Sequence, residues 1–458
     1  MADYDAIIIG TGQAGPALAR RLVAAGWKVA IVERKRFGGT CVNTGCTPTK
    51  TLIASAYAAH LARRASDYGV IIPGAVSVDM KAVKARKDAV VAPSNSGVER
   101  SLKSLKGCTV YEGHARFVGP KEVKVGDEIL RADKIFINVG GRALVPSIPG
   151  LEKTPYLTNS SMMDVDFLPP HLVILGGSYI GLEFAQAYRR FGSEVTVVEL
   201  APRLIAREDE DVSRAIADIL KEEGIDIRLG SKVVGVARRG DKIAVDIESA
   251  GTRSQVTGSH LLLAIGRRPN TDDLGLDQAG VATNAQGYIQ VDDELRTNVP
   301  GIWALGDCNG RGAFTHTSWN DFEIVAANLL DNESRRVSDR INAYALYTDP
   351  PLGRAGMSEA EVRKTGRPAL IATMAMEDVS RAYEKGETKG FMKILVDQET
   401  KQILGASLLG LSGDEVIHCI LDVMYAKAPC TLLQRAMHIH PTVSEFIPTM
   451  LGDLVPLQ

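Results

Sequence analysis

The sequence predicts an α/β fold: two Rossmann-like nucleotide-binding domains and a C-terminal α+β domain. Three observations lead there. A unit of apolar strand, glycine turn and amphipathic helix occurs twice in the same register. Further short apolar runs fit additional strands. Beyond residue 340 the texture changes to an alternating hairpin followed by a helix.

Residues 6–34 read AIIIGTGQAGPALARRLVAAGWKVAIVER, and residues 172–200 read LVILGGSYIGLEFAQAYRRFGSEVTVVEL. Gly10 to Glu33 spans 23 positions, as does Gly176 to Glu199. Two such units in register argue for two nucleotide-binding βαβ domains in one chain. In the first, Gly10 permits the tight turn, Gly12 lets backbone approach a pyrophosphate, and Gly15 lets helix and strand pack closely. The helix start then faces the phosphate charge. Glu33, at the end of the next strand, can accept hydrogen bonds from a ribose. In the second copy Gly176, Ser178 and Gly181 take these places, the serine leaving the approach slightly less open. Glu199 would bond a ribose 2′-hydroxyl and repel a 2′-phosphate, which favours NADH over NADPH. Arg203 and Arg207 stand nearby and could offset this.

The runs Lys134–Val139, Leu261–Ile265 and Ile302–Leu305 read as strands. The Pro/Gly-rich connection Val145–Gly150 is a natural boundary. Residues 1–147 and 266–340 are thus expected to form the first domain in two parts, 148–265 the second and 341–458 the last. In the last, Phe391–Val396 alternates like a strand. Gln402–Leu409 reads as its hairpin partner across Asp397–Lys401, and Glu415–Tyr425 has helical periodicity. The 458 residues carry a formal net charge of −2, with no polybasic run. Neither a nucleic acid nor a membrane is therefore expected as partner. The start of the chain lacks the pattern of a signal peptide, and six cysteines do not make a disulfide scaffold. The expectation is a cytoplasmic protein in which any disulfide is catalytic.

Residues 38–50 read GGTCVNTGCTPTK. Cys41 and Cys46 are too far apart for a thioredoxin-type pair. The stretch from Gly45 looks helical, so Cys46 lies near a helix start, where dipole and unpaired N–H groups favour a thiolate. Zinc would need two more ligands, and none lies near in sequence. A redox dithiol is the better reading, and no metal site is expected. Of the other cysteines, Cys308 and Cys419 are expected to be buried, while Cys108 and Cys430 show no partner.

From Gly39 to Lys50 the chain resembles the signature of class I pyridine nucleotide–disulfide oxidoreductases, the family of dihydrolipoamide dehydrogenase, glutathione reductase and mercuric reductase. The similarity extends over essentially the whole chain. Thr297–Asp307 resembles the family's second FAD segment, whose aspartate, here Asp307, binds the ribityl chain. Ile137–Arg142 and Ala264–Pro269 resemble the passages between the nucleotide domains. The resemblance implies FAD as cofactor, with Gly39, Thr40, Lys50, Ala115, Gly140 and Thr315 joining Gly10, Gly12, Gly15, Glu33 and Asp307 around it. Tyr179, Ile180, Val233 and Gly266 would join Gly176, Ser178, Gly181 and Glu199 around NAD(P)H, with Tyr179 covering the nicotinamide pocket. Cys46 would be the flavin-proximal thiol and Cys41 the interchange thiol. Lys50 and Glu183 match a charge pair near the reactive flavin nitrogen.

His438-Ile-His440-Pro441 with Glu445 resembles the family's acid–base element, His440 serving the interchange thiol and Glu445 orienting it. His438 reads as structural. Thiol–disulfide exchange needs such a group, because a proton must reach the leaving sulfur. The family takes this element from the partner subunit, so a homodimer with His440 crossing the interface is implied. The implied activity is FAD-dependent transfer from NAD(P)H through the Cys41–Cys46 disulfide to a small disulfide, as in dihydrolipoamide dehydrogenase. A mercuric-reductase-like metal-ion reductase is the alternative, although no cysteine follows Glu445. A flavoprotein subunit without catalysis is a remote third.

Overall fold

The computed structural model describes residues 2–457. The first nucleotide unit is built on strand Ala2–Ile9, which pairs in parallel with Val29–Glu33 on one side and Glu128–Ile137 on the other. Cys108–Glu112 extends the sheet beyond Val29–Glu33, and Ile302–Ala304 pairs in parallel with the end of Glu128–Ile137. The start of that long strand carries the antiparallel pair Glu122–Val125 and Ala115–Gly119. Ala6, Ile7 and Ile8 are wholly buried, as the continuous apolar run requires of a strand covered on both faces.

The second unit repeats the arrangement. His171–Leu175 lies between Glu194–Val198 and His260–Leu263, with Asp226–Arg228 on the outer edge, all parallel. An antiparallel meander of Lys232–Arg239, Lys242–Ser249 and Thr252–Gly258 is attached. The two passages between the units run side by side, Gly141–Ala143 pairing antiparallel with Arg267–Pro269.

The last part is a six-stranded antiparallel sheet with Gly413–Tyr425 packed on it. Its central hairpin is Phe391–Asp397 with Ile403–Leu409. Here the alternation expected of Phe391–Val396 fails: Met392 to Val396 are all buried, Lys393 included at 1% exposure. A strand in the middle of a sheet covered on both faces has no solvent side, and the ammonium is tolerated because carboxylates surround it. Cys419 is half-buried rather than buried, whereas Cys430 is buried. Among the elements absent from the sequence reading are the long helix Met80–Lys103 and the short helix Gly39–Thr44, which carries Cys41.

The repeat also explains its own third glycine. A Cβ on Gly15 would lie 2.3 Å from the Gly10 carbonyl oxygen, and one on Gly181 would lie 2.0 Å from that of Gly176. Gly181→Ala is expected to cost about 1–3 kcal/mol through overpacking. Gly97→Ala is the control, since its Cβ meets nothing within 4 Å inside a helix. The first substitution should lower the thermal melting temperature, and the second should leave it unchanged or slightly higher.

Candidate active site

Both glycine turns open onto one cavity of about 2760 Å³. From the first unit Gly10, Gly12, Glu33, Gly39, Thr40 and Ala115 line it, with Gly140, Asp307 and Thr315 further along. From the second come Gly176, Ser178, Tyr179, Ile180 and Glu199, together with Val233 and Gly266. Gly15 and Gly181 lie behind the turns, where they serve packing and not lining.

The two strand-end glutamates are held alike. Glu33 Oε2 accepts from the Thr11 N–H at 3.1 Å and the Thr11 hydroxyl at 2.5 Å. Glu199 Oε2 accepts from the Gly177 N–H at 2.5 Å, and its Oε1 from the Ala201 N–H at 2.7 Å. Each carboxylate thus braces its own glycine turn and stays at the cavity wall. Arg203 turns away and donates to the Ala206 carbonyl, while Arg207 lies over the Tyr179 ring at 5.4 Å.

Asn138, which the sequence reading missed, joins three segments of the first unit. It accepts from the Gly15 N–H at 3.1 Å and donates to the Leu305 carbonyl at 2.9 Å. Arg267, also missed, reaches Asp307 at 3.1 Å and donates to the Gly141 carbonyl, yet its Nε is buried without a partner among the described residues. An unpaired buried donor on a wall of glycine backbone suits an anionic, elongated cofactor such as FAD. The carboxylates of Glu33 and Asp307 add acceptors for ribose and ribityl hydroxyls.

Cys46 is the first residue of helix Cys46–Arg63, and Cys41 lies in the short helix before it. Gly39 sets that short helix against the nucleotide turn, since a Cβ there would come within 2.8 Å of the Gly12 Cα. The Cys46 sulfur is 3.2 Å from the Thr315 hydroxyl, at the start of helix Thr315–Leu330. Hydrogen bonding from the Cys41 thiol lowers the Cys46 pKa to about 6; Thr315 and the Lys50 charge act in the same direction, against burial. The Cys41 thiol is pushed strongly up by that same bond and by burial. Cys46 is therefore the thiolate of the pair, and Cys41 keeps its proton.

Lys50 stands one turn along the helix. Its ammonium meets Glu183 at 2.9 and 2.8 Å and lies 4.3 Å from the centre of the Tyr347 ring. Glu183 comes from helix Tyr179–Phe191 of the second unit, is 5% exposed, and also accepts from the Tyr347 N–H at 3.2 Å. Tyr179 opens that helix, edge-on to Phe314 and to Tyr344.

His440 and Glu445 meet as the motif implied: Nδ1 of His440 lies 3.0 Å from Glu445 Oε2. The pair does not face the cavity of its own chain. The His440 side chain is 76% exposed, and just before it Met437 is 99% and Ile439 80% exposed. His438 Nδ1 contacts only the Ala436 carbonyl among the described residues.

Residues 4–321 match the family model described as pyridine nucleotide-disulphide oxidoreductase, and residues 342–451 match the dimerisation domain of the same family. The chain belongs to the pyridine nucleotide-disulphide oxidoreductase family. The probable pyridine nucleotide-disulfide oxidoreductase RclA of Escherichia coli K12 is 37% identical, with 100% of each chain covered. The mercuric reductase of Streptomyces lividans is 34% identical over 96% of this chain and 94% of its own. A solved structure, the Cu(II) complex of HOCl-induced flavoprotein disulfide reductase RclA from Escherichia coli, superposes with a TM-score of 0.90 at 36% identity, covering 99% of each chain. This protein is accordingly an FAD-dependent oxidoreductase of that family, a flavoprotein disulfide reductase that uses pyridine nucleotides.

Cys46 is expected to ionise near pH 6 in the two-electron-reduced enzyme, being thiolate above that value and thiol below it. The long-wavelength absorption of a thiolate against flavin should disappear as pH falls through that range. Lys50→Met and Thr315→Val should each move the midpoint upward.

Proposed function

We propose that this enzyme oxidises NADH and reduces a small disulfide through Cys41 and Cys46. The observation that supports this most strongly is the Cys46 thiolate, held at a helix start on the wall shared by both glycine turns, beside the Lys50–Glu183 pair. The overall reaction is NADH, a proton and R–S–S–R going to NAD⁺ and two R–SH. FAD, when bound by Gly10, Gly12, Glu33, Thr315 and Asp307, supplies the two-electron relay between nicotinamide and dithiol.

The residues divide the remaining work. Lys50 keeps positive charge beside the reacting centre, and Glu183 fixes its position. Cys46 is stable as a thiolate. Cys41, held as a thiol, needs a base before it can attack, and the partner subunit's His440, oriented by Glu445, is suited to take that proton. Cys41 sulfur then bonds one substrate sulfur, and the other leaves with the proton from the imidazolium. Cys46 attacks Cys41, expels the second substrate sulfur as a thiolate that takes the solvent proton of the overall reaction, and closes the Cys41–Cys46 disulfide, ready for the next electron pair. The exposed Met437 and Ile439 beside His440 support burial of this segment against a second copy, hence a homodimer. Glu199, fixed by two backbone N–H groups, supports NADH over NADPH, with Arg203 turned aside.

A metal ion is the second acceptor to consider, favoured by the likeness to mercuric reductase and to the RclA structure solved with Cu(II). The deciding measurement is a turnover panel with NADH and NADPH against lipoamide, glutathione disulfide, Hg(II) and Cu(II). A disulfide turned over faster than either metal supports the first reading; the reverse order replaces it. NADH should exceed NADPH in kcat/KM by about tenfold or more, and Glu199→Ala should narrow the ratio. His440→Ala should slow reoxidation by the disulfide by about 10²–10⁴-fold while leaving flavin reduction nearly intact. Equal slowing of both halves would remove His440 from the acid–base role.

A further inference from the structure

A cluster of buried charges outside the dithiol site leads to the nicotinamide side of the cavity. Arg354, in strand Leu352–Gly356, and Lys393, in Phe391–Asp397, are 2% and 1% exposed. Both point at the loop that follows Glu199 in the second unit. Arg354 meets Glu208 at 3.3 Å and Asp209 at 3.2 Å, and bonds the Ser407 hydroxyl. Lys393 meets Asp209 at 3.1 Å, Asp211 at 2.9 Å and Glu359 at 3.3 Å. Buried charges in this number persist only when each is paired, so the loop is pinned to the C-terminal sheet.

The cluster reaches the cavity wall through Arg354 itself and through Tyr344. The Tyr344 hydroxyl donates to Glu208 Oε1, and its ring forms part of the cavity wall. That ring stacks on Phe314, centroids 5.7 Å apart at 12°, and meets Tyr179 edge-on at 5.6 Å and 85°. Tyr179 cannot hold itself in place: its hydroxyl is buried without a well-formed hydrogen bond among the described residues. Its ring direction is set by Tyr344, Phe314 and the Arg207 guanidinium, which comes from the same pinned loop.

We propose that Tyr344 is a positioning residue for hydride transfer, anchored by Glu208 and Arg354 and acting through the Tyr179 ring on the bound nicotinamide. The proposal rests on the reading that Tyr179 covers the nicotinamide pocket. Tyr344→Phe keeps the ring and removes the bond to Glu208. A loosened Tyr179 costs alignment of the transferred hydride, and geometry there is worth large rate factors.

The test uses the flavin-loaded enzyme, mixed rapidly and without oxygen with NADH, following flavin absorbance. Tyr344→Phe should slow reduction about tenfold, while alkylation of the reduced Cys41–Cys46 pair by iodoacetamide keeps its rate. Glu208→Ala should behave like Tyr344→Phe, and Glu208→Gln, which retains an acceptor for the hydroxyl, should restore most of the rate. In a Tyr179→Ala background Tyr344→Phe should add less than about twofold, as expected of residues acting in series. Unchanged reduction in Tyr344→Phe, equal slowing of reduction and alkylation, or additive effects with Tyr179→Ala would each overturn the proposal. If Tyr179→Ala alone leaves reduction unchanged, the underlying placement of the nicotinamide falls as well. If Tyr179→Ala slows reduction and Tyr344→Phe does not, only the role of Tyr344 falls.

Discussion

A carboxylate that is 5% exposed needs a cation, and the cation for Glu183 comes from a different nucleotide unit. Lys50 lies four positions after Cys46 on a helix of the first unit, whereas Glu183 lies four positions after Tyr179 on the glycine-turn helix of the second. Meeting this one electrostatic demand brings the dithiol and the second glycine turn to opposite sides of the same charge pair. The apolar packing agrees with it. Leu52 and Ala56 from the cysteine helix share a core with Leu182, Phe184 and Ala185 of the second unit and with Leu346, Leu352 and Leu409 of the C-terminal sheet.

That arrangement also separates the tasks of the two thiols. Cys46 receives a hydrogen bond from Cys41, another from Thr315 and the field of Lys50, so its charge is stabilised where it stands. Cys41 shares the Thr315 bond, but its own bond to Cys46 and its burial outweigh that help, and it holds its proton. A pair so polarised makes the outer thiol dependent on an external base. The His440–Glu445 pair is preformed but exposed and turned away from its own cavity. Polarisation within one chain and a base presented on its surface are complementary features of a family that carries a dimerisation domain.

The buried charges of the C-terminal sheet follow the same rule as Glu183. Arg354 and Lys393 interrupt runs that are otherwise without charge, Leu352–Gly356 and Phe391–Val396, and their counter-charges Glu208 and Asp209 belong to the second nucleotide unit. Truncating either cation would strand buried carboxylates, whereas a surface pair such as Arg21–Asp331 contributes little. These two sets of buried charge tie the second unit to its neighbours, one beside the dithiol and one beside Tyr179, and Arg190 adds a third through Asp349.

The sequence by itself determined the duplicated nucleotide-binding units, because strand, turn and helix periods are local properties. The sequence equally marked Cys41, Cys46 and the helix start at Cys46, and through the family resemblance it named Lys50, Glu183, Asp307, His440 and Glu445. Only the tertiary structure decided which charges meet. Asn138, Arg267, Tyr344 and Arg354 act through partners between 40 and more than 160 positions away, and no local spacing encodes such pairings. Lys393 is the clearest case. Within Phe391–Val396 it looks like the solvent-facing member of an alternating strand, yet it is buried, since distant carboxylates on another unit make that position favourable.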